Sequence, residues 1–240
     1  MIYAIVGPTG VGKTKLSVML AKKLNAVIIN CDSMQIYKEM NIGTAKVTEE
    51  EKEGVEHFLF SHVSIKDDSY NAFKYQTDAR KLLDKFINEG KNIVIVGGTG
   101  LYLKTLLYDY TFDDNNNSNK KLYDFKLIGL TRDRSVLYEN IDKRVDIMIK
   151  NGLLDEVKEF YDNNIRTRAV MTAIGYKELY EYFDGICSLD DAIDKIKKSS
   201  RHYAKRQYTF FNHQFDCINW YDIDKISFDD IVTDILKASN

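Results

Sequence analysis

Residues Gly7-Pro8-Thr9-Gly10-Val11-Gly12-Lys13-Thr14 fit the pattern G-x-x-x-x-G-K-[ST]. The chemistry of this octet is phosphate binding. Its glycines let the backbone curl until successive N–H groups point inward, and a following helix adds the partial positive charge of its N-terminus. Lys13 supplies a movable cation for terminal phosphates, and the Thr14 hydroxyl is an oxygen ligand of the kind Mg²⁺ prefers. Asp32-Ser33 is a second chemical position. Its carboxylate can hold a metal through water, accept a proton as a general base, or cap a turn, and position alone does not choose. Gly97-Gly98-Thr99-Gly100 is a second glycine turn, whose N–H groups and Thr99 hydroxyl can serve the same crevice.

These groups act together only if strands bring them to one edge. Residues 2–6, 26–29, 93–96 and 126–130 are short apolar runs rich in β-branched side chains, read as buried strands. Each chemical segment follows one of the first three runs. A carboxylate just past a strand's C-terminal end in an open α/β sheet faces the ligand crevice. Helical spacing is expected over 15–24 and over 71–88, which Gly90 closes. Alternating strands and helices imply an α/β fold, a P-loop NTPase-like parallel sheet flanked by helices. The second half reads differently, with helices expected over 135–161, 172–183 and 189–211. The polar run Asp113-Asp114-Asn115-Asn116-Asn117-Ser118-Asn119 separates the two. The expected organisation is a first core segment at 1–112, a polar linker at 113–124, and the remaining core with a helical C-terminal part at 125–240.

Composition narrows the class. The chain has 240 residues, 44% hydrophobic and 29% charged, which excludes a disordered or collagen-like chain. Its three cysteines form no CxxC pair, so no disulfide framework is expected and the setting reads as cytoplasmic. His213 and Cys217 lack a second ligand pair for zinc. No run approaches the roughly 18–20 apolar residues of a membrane span. The net charge of −2 means that any nucleic-acid contact rests on a local patch. Such a patch exists at 195–206, where Lys195, Lys197, Lys198, Arg201, His202, Lys205 and Arg206 occur without an acid. Lys197, Arg201 and Lys205 are four apart and share a helical face, interleaved with Tyr203, Tyr208, Phe210 and Phe211 that can stack on bases.

Several motifs occur in order: the octet, Cys31-Asp32-Ser33-Met34-Gln35-Ile36-Tyr37, Asn41-Ile42-Gly43-Thr44-Ala45-Lys46, and Gly97-Gly98-Thr99-Gly100-Leu101-Tyr102. Arg144-Val145-Asp146, Gly152-Leu153-Leu154-Asp155-Glu156-Val157, Ala173-Ile174-Gly175-Tyr176-Lys177-Glu178 and Tyr203-Ala204-Lys205-Arg206-Gln207 follow. Together they resemble the tRNA dimethylallyltransferase family over roughly residues 3 to 221. The resemblance implies transfer of a five-carbon prenyl group from dimethylallyl diphosphate to N6 of the adenosine 3′ of the anticodon (position 37). The substrates implied are tRNAs reading codons that start with U, with Mg²⁺ assisting. It implies diphosphate contacts from Gly7, Pro8, Thr9, Gly10, Val11, Gly12, Lys13, Thr14 and Arg134, with the metal at Thr14. Asp32, Thr99 and Lys13 take the catalytic roles, Asp32 as the general base. Asp32, Ser33, Met34, Gln35, Thr99, Thr172, Ala173, Ile174, Gly175, Tyr176, Lys177, Lys205, Arg206 and Gln207 are the implied tRNA contacts. A monomer working without a membrane is expected.

Three departures stand out. The family's helical insertion before the strand at 126–130 shrinks here to about 108–124. Asn140 replaces a usual arginine, and Phe210 a usual tryptophan. The shortened insertion favours, in part, an alternative acceptor, free AMP, ADP or ATP. A P-loop small-molecule kinase and a non-catalytic RNA-binding relic are the remaining alternatives. The Asp32 and Gly97-to-Tyr102 segments argue against the kinase. The retained Lys13, Thr14, Asp32 and Thr99 argue against the relic.

Overall fold

Short strands form the centre of the molecule, and four of them are largely apolar runs of four to seven residues. In the computed structural model, which describes residues 1–112 and 119–238, the strands are β1 (Ile2–Val6), β2 (Val27–Asn30), β3 (His57–Phe58), β4 (Ile93–Val96), β5 (Phe125–Thr131) and β6 (Ile218–Asp222). Helix α1 (Lys13–Leu24) follows β1, and the short α2 (Glu49–Lys52) precedes β3. Helix α3 (Ala72–Asn88) leads into β4, and α4 (Gly100–Leu107) leaves it. Then come α5 (Arg134–Lys150), α6 (Leu153–Asp162), α7 (Arg168–Thr172), α8 (Tyr176–Phe183) and α9 (Leu189–Gln214), with α10 (Phe228–Lys237) after β6.

The six strands form one sheet in the order β3-β2-β4-β1-β5-β6, every pair parallel. Successive side chains of a strand point to opposite faces, so each apolar run fills two cores. Ile2, Ala4, Val6, Ile29 and Ile95 meet Tyr75, Leu83 and Phe86 of α3 and Leu103 and Leu107 of α4. Tyr3, Ile5, Ile28, Val94 and Ile128 meet Leu16 and Leu20 of α1 and Ile231 and Ile235 of α10. A third core joins Ile36 and Met40 to Val145, Leu153, Val157, Tyr176, Leu179 and Ile196 in the helical part.

The expected strands are present, β2 displaced by one residue. Asn71 caps α3 by accepting from the Phe73 and Lys74 N–H groups, and Gly90 at φ 68° follows its end. Two expected helices are each divided. The 135–161 run breaks at Gly152, whose φ of 98° no helix accommodates. The 172–183 run breaks at residues 173–175, again at a positive-φ glycine, Gly175. The C-terminal part is not only helical, because β6 returns to extend the sheet beside β5 and α10 covers it. Residues 113–118 of the expected linker lie outside the described residues. Its flanks are joined: the Asp109 N–H donates to the Lys120 carbonyl at 2.9 Å, and the Leu122 N–H to Leu107 at 2.9 Å.

Candidate active site

The strand order decides the site. β2, β4 and β1 are neighbours, spaced roughly 4.8 Å as paired strands are. Their C-terminal ends therefore set Asp32, the Gly97-to-Gly100 turn and the Gly7-to-Thr14 loop side by side. The Cys31 N–H donates to the Val96 carbonyl at 2.7 Å, and the Thr99 N–H to the Cys31 carbonyl at 3.1 Å, which locks the first two segments together.

Gly12 opens α1 at φ 98°, a left-handed conformation that side-chain-bearing residues avoid. Lys13 folds back over the loop, and its Nζ donates to the carbonyls of Gly7 (3.0 Å) and Pro8 (2.8 Å). Arg144, from α5, reaches the same loop and donates to Thr9 Oγ1 at 3.1 Å. Burial lowers the Lys13 ammonium to a pKa of about 8; Asp32 works against that shift and Arg144 adds to it. Burial also lowers Arg144, with Asp32 and Glu51 pulling it back. Both cations donate to neutral oxygens, and among the described residues neither is in an ion pair. The cheapest relief for two such charges is an incoming anion.

Asp32 settles its three-way ambiguity in part. Its Oδ1 accepts the N–H groups of Met34 (2.9 Å) and Gln35 (3.3 Å), so the carboxylate does cap a turn. Its Oδ2 takes no hydrogen bond among the described residues, and Asp32 lines the cavity. One carboxylate thus fixes its own turn and presents an oxygen. Thr99 Oγ1 accepts the Ser33 N–H at 2.9 Å and donates to Ser33 Oγ at 3.2 Å. The Tyr203 hydroxyl lies against Thr99 and Gln207, and burial, then Asp32, raises its pKa.

Gln207 joins the two glycine segments. Its Oε1 accepts the Thr9 N–H at 2.8 Å and its Nε2 donates to the Gly98 carbonyl at 3.0 Å. A Cβ at Gly98 would stand 2.0 Å from that Nε2, so only glycine admits the contact. On the opposite wall Gln35 Nε2 donates to the carbonyls of Thr44 (3.0 Å) and Ala45 (3.2 Å).

The cavity measures about 520 Å³. Of the residues expected from sequence, Thr9, Gly10, Gly12, Lys13, Thr14, Asp32, Ser33, Met34, Gln35, Thr172, Ala173, Ile174, Gly175, Lys177, Arg206 and Gln207 line it. Gly7 and Pro8 lie behind the loop as acceptors for Lys13, and the Val11 side chain is in the core. Four expectations need correction, because Thr99, Arg134, Tyr176 and Lys205 are not among the residues that line the cavity. Arg134 is exposed at the start of α5, its guanidinium over the Tyr138 ring, and the arginine at the loop is Arg144, ten residues further on. Tyr176 is fully buried: its hydroxyl donates to Glu156 at 2.5 Å, and its ring fills the space a Cβ at Gly43 would need. Lys205 is exposed on the far side of α9, because Ile196, Ser200, Tyr203 and Gln207 are the residues that face the cavity.

The basic stretch divides in the same way. Arg201 makes a two-pronged contact with Asp142 (2.6 and 2.7 Å), Lys197 pairs with Asp146 (2.6 Å) and Lys195 with Glu181 (2.6 Å). The stripe of Lys197 and Arg201 therefore docks α9 on α5. The sequence motifs contain Tyr203 and Arg144, and stacking is read for Tyr203, but neither is assigned there to the phosphate loop. The signal for Arg144 is its place in the apolar stripe Leu137, Ile141, Val145, Met148, where an arginine inside a buried face wants an anion.

A P-loop-type α/β protein is thus the class that fold and loop define. The IPP transferase family model matches residues 35–122 and 111–214. The tRNA dimethylallyltransferase of Bacillus subtilis is 41% identical, with 92% of this chain and 90% of the relative covered. That of Anoxybacillus flavithermus is 38% identical, with 98% and 94% covered. A tRNA delta(2)-isopentenylpyrophosphate transferase structure from Staphylococcus epidermidis superposes with a TM-score of 0.92 at 33% identity, covering 100% of this chain and 98% of that one. A eukaryotic dimethylallyltransferase acting on tRNA superposes with a TM-score of 0.84 at 25% identity, covering 92% and 73%. The chain belongs to the IPP transferase family, the family of the tRNA dimethylallyltransferases.

Proposed function

We propose that this chain transfers the dimethylallyl group of dimethylallyl diphosphate to N6 of the adenosine 3′ of the anticodon, position 37, in tRNAs that read codons beginning with U. The observation that carries this reading is the meeting of Lys13, Arg144 and Asp32 in one cavity, on a chain of this family. In the reaction the C1–O bond breaks and its electron pair leaves with the diphosphate. The N6 lone pair makes the new bond to C1, and the N6 proton passes to Asp32 Oδ2. Lys13, Arg144 and the loop N–H groups face the oxygen where negative charge grows, which is where fixed charge accelerates a reaction most. Adenine N6 is a poor nucleophile, so a carboxylate that accepts its proton as the bond forms has real leverage.

Ile141, Val145 and Met148 form an apolar wall beside Arg144 that suits a five-carbon chain. Ser33, Met34 and Gln35 on one side, with residues 172–175, Lys177 and Arg206 on the other, are the RNA-contacting walls of this reading. The adenosine must leave its stack to enter between them. Thr14 offers a hydroxyl to Mg²⁺. That hydroxyl would hold the ion together with waters and substrate oxygens, the oxygen donors Mg²⁺ prefers. When bound, the ion neutralises diphosphate charge.

Relatives that are tRNA dimethylallyltransferases support RNA over a free nucleotide as acceptor. The test is a transfer assay with radiolabelled dimethylallyl diphosphate and Mg²⁺, run on an anticodon stem-loop and on AMP in parallel. Label is expected in the RNA; label in AMP alone overturns the reading.

A further inference from the structure

Asn30 ends β2 two residues before Asp32 and is fully buried. A buried asparagine offers one acceptor and two donors, and leaving any of them unmade is costly. All three are used here. Its Oδ1 accepts the Asp32 N–H at 2.9 Å, and its Nδ2 donates to the Asp32 carbonyl at 3.0 Å and to the Leu59 carbonyl at 3.0 Å. One side chain therefore grips both polar backbone groups of Asp32. Asn30 is itself held, because its carbonyl accepts the Tyr75 hydroxyl at 2.8 Å and the Tyr75 ring stacks on Tyr102 with centroids 3.9 Å apart.

We propose that Asn30 is a positioning residue for the carboxylate of Asp32, an inference that rests on reading Asp32 as the proton acceptor. Residue 32 has left the sheet, so no strand pairing sets its orientation. The Asn30 amide replaces that pairing. With the backbone of Asp32 fixed from behind and Oδ1 held by the Met34 and Gln35 N–H groups, Oδ2 is the carboxylate oxygen left for the cavity that Asp32 lines. Chemistry selects asparagine at this position. A serine supplies one of the contacts. An aspartate would press a carboxylate against two carbonyl oxygens. An alanine releases the turn and leaves the Asp32 N–H and carbonyl without their partner. A displacement of about 1 Å in a reacting group is enough to cost on the order of 10²-fold in rate.

The test compares Asn30→Ala, Asn30→Ser, Asp32→Asn and the double variant Asn30→Ala/Asp32→Asn in the full chain. The substrates are dimethylallyl diphosphate with Mg²⁺ and an anticodon stem-loop. Asn30→Ala is expected to lower kcat by about 10²-fold with both KM values unchanged, and Asn30→Ser to recover part of the loss. In the Asp32→Asn background, removing Asn30 is expected to cost nothing further in kcat, since the group it positions is already gone. Equal losses in the two backgrounds mean a structural role and overturn the inference, as does a folded Asn30→Ala with wild-type kcat. If Asn30→Ala does not fold, Asn30→Ser carries the same cycle. An Asp32→Asn variant with wild-type turnover removes the proton-acceptor reading and this inference with it. Full turnover in Asn30→Ala beside an inactive Asp32→Asn removes Asn30 alone.

Discussion

The Thr9 N–H donates to the side-chain carbonyl of Gln207 at 2.8 Å, across 198 positions of sequence. The same amide's Nε2 reaches Gly98, so α9 is tied at one point to both glycine segments. Thr9 is gripped twice, since its hydroxyl accepts from Arg144 of α5. The phosphate loop is thereby registered against the helical wall that faces it. Gln207→Ala leaves the Thr9 N–H and the Gly98 carbonyl without this partner. A loss of about 1–3 kcal/mol in unfolding free energy is expected, together with weaker binding of dimethylallyl diphosphate. Denaturant titration and calorimetry check the two effects, and unchanged values in both contradict the tie.

Asp32→Ala is expected to reduce turnover by about 10²- to 10⁴-fold, the range of a lost general base. Affinity for dimethylallyl diphosphate should stay near wild type, because the loop, Lys13 and Arg144 are intact. Single-turnover transfer to a stem-loop, read beside equilibrium binding of the diphosphate, separates the two effects. Retained turnover removes Asp32 as the proton acceptor.

Lys13 gives a pH dependence with a defined sign. Its pKa in the folded protein is about 8, lowered chiefly by burial, against about 10.4 for an exposed lysine. Between those values the unfolded chain holds more protons, so this group's contribution to stability rises with pH across that window. Diphosphate binding runs the other way, because the anion needs the ammonium form. Affinity for dimethylallyl diphosphate is expected to fall as pH rises through about 8, above the terminal phosphate's own ionisation near 6. Binding should also take up protons, which calorimetry detects as a buffer-dependent enthalpy. Lys13→Ala should bind weakly and without that pH slope. A wild-type affinity flat from pH 7.5 to 9.5 contradicts the assignment.

Arg206 and Lys205 are neighbours with different expectations. Arg206 lines the cavity, with its guanidinium near the Tyr203 ring, whereas Lys205 is on the far side of the helix. Arg206→Glu is expected to weaken stem-loop binding and reduce its salt dependence. Lys205→Glu should leave both close to wild type. Equal effects from the two changes would return the whole basic stretch to the RNA surface.

What the residues disclosed on their own was local. The octet, the Asp32 turn and the Gly97-to-Gly100 turn each carry their meaning within eight residues, and apolar runs with β-branched side chains located four strands. The rest depends on partners far along the chain. Helical spacing rightly put Lys197 and Arg201 on one face, yet that face meets Asp142 and Asp146, which no period within α9 announces. Arg144 and Arg134 are both arginines of α5; the apolar stripe marks Arg144 as the inward one, but the loop it reaches depends on how the helix docks. β6 was hidden because Ile218-Asn219-Trp220-Tyr221-Asp222 sits at the sheet edge, mixed in polarity and only partly covered.

The connection from α4 to β5 leaves and re-enters through hydrogen bonds between residues 107–109 and 120–122, and the two stretches matched by the family model overlap between residues 111 and 122. Those bonds make a socket. Whatever length of chain is plugged in there, the strand register and the cavity on the other side of it receive the same two fixed ends. Doubling such a loop costs only about 0.6 kcal/mol in closure entropy. The protein can thus be refitted at that point, with a longer helical insertion or with an engineered tag, without rebuilding the fold beneath.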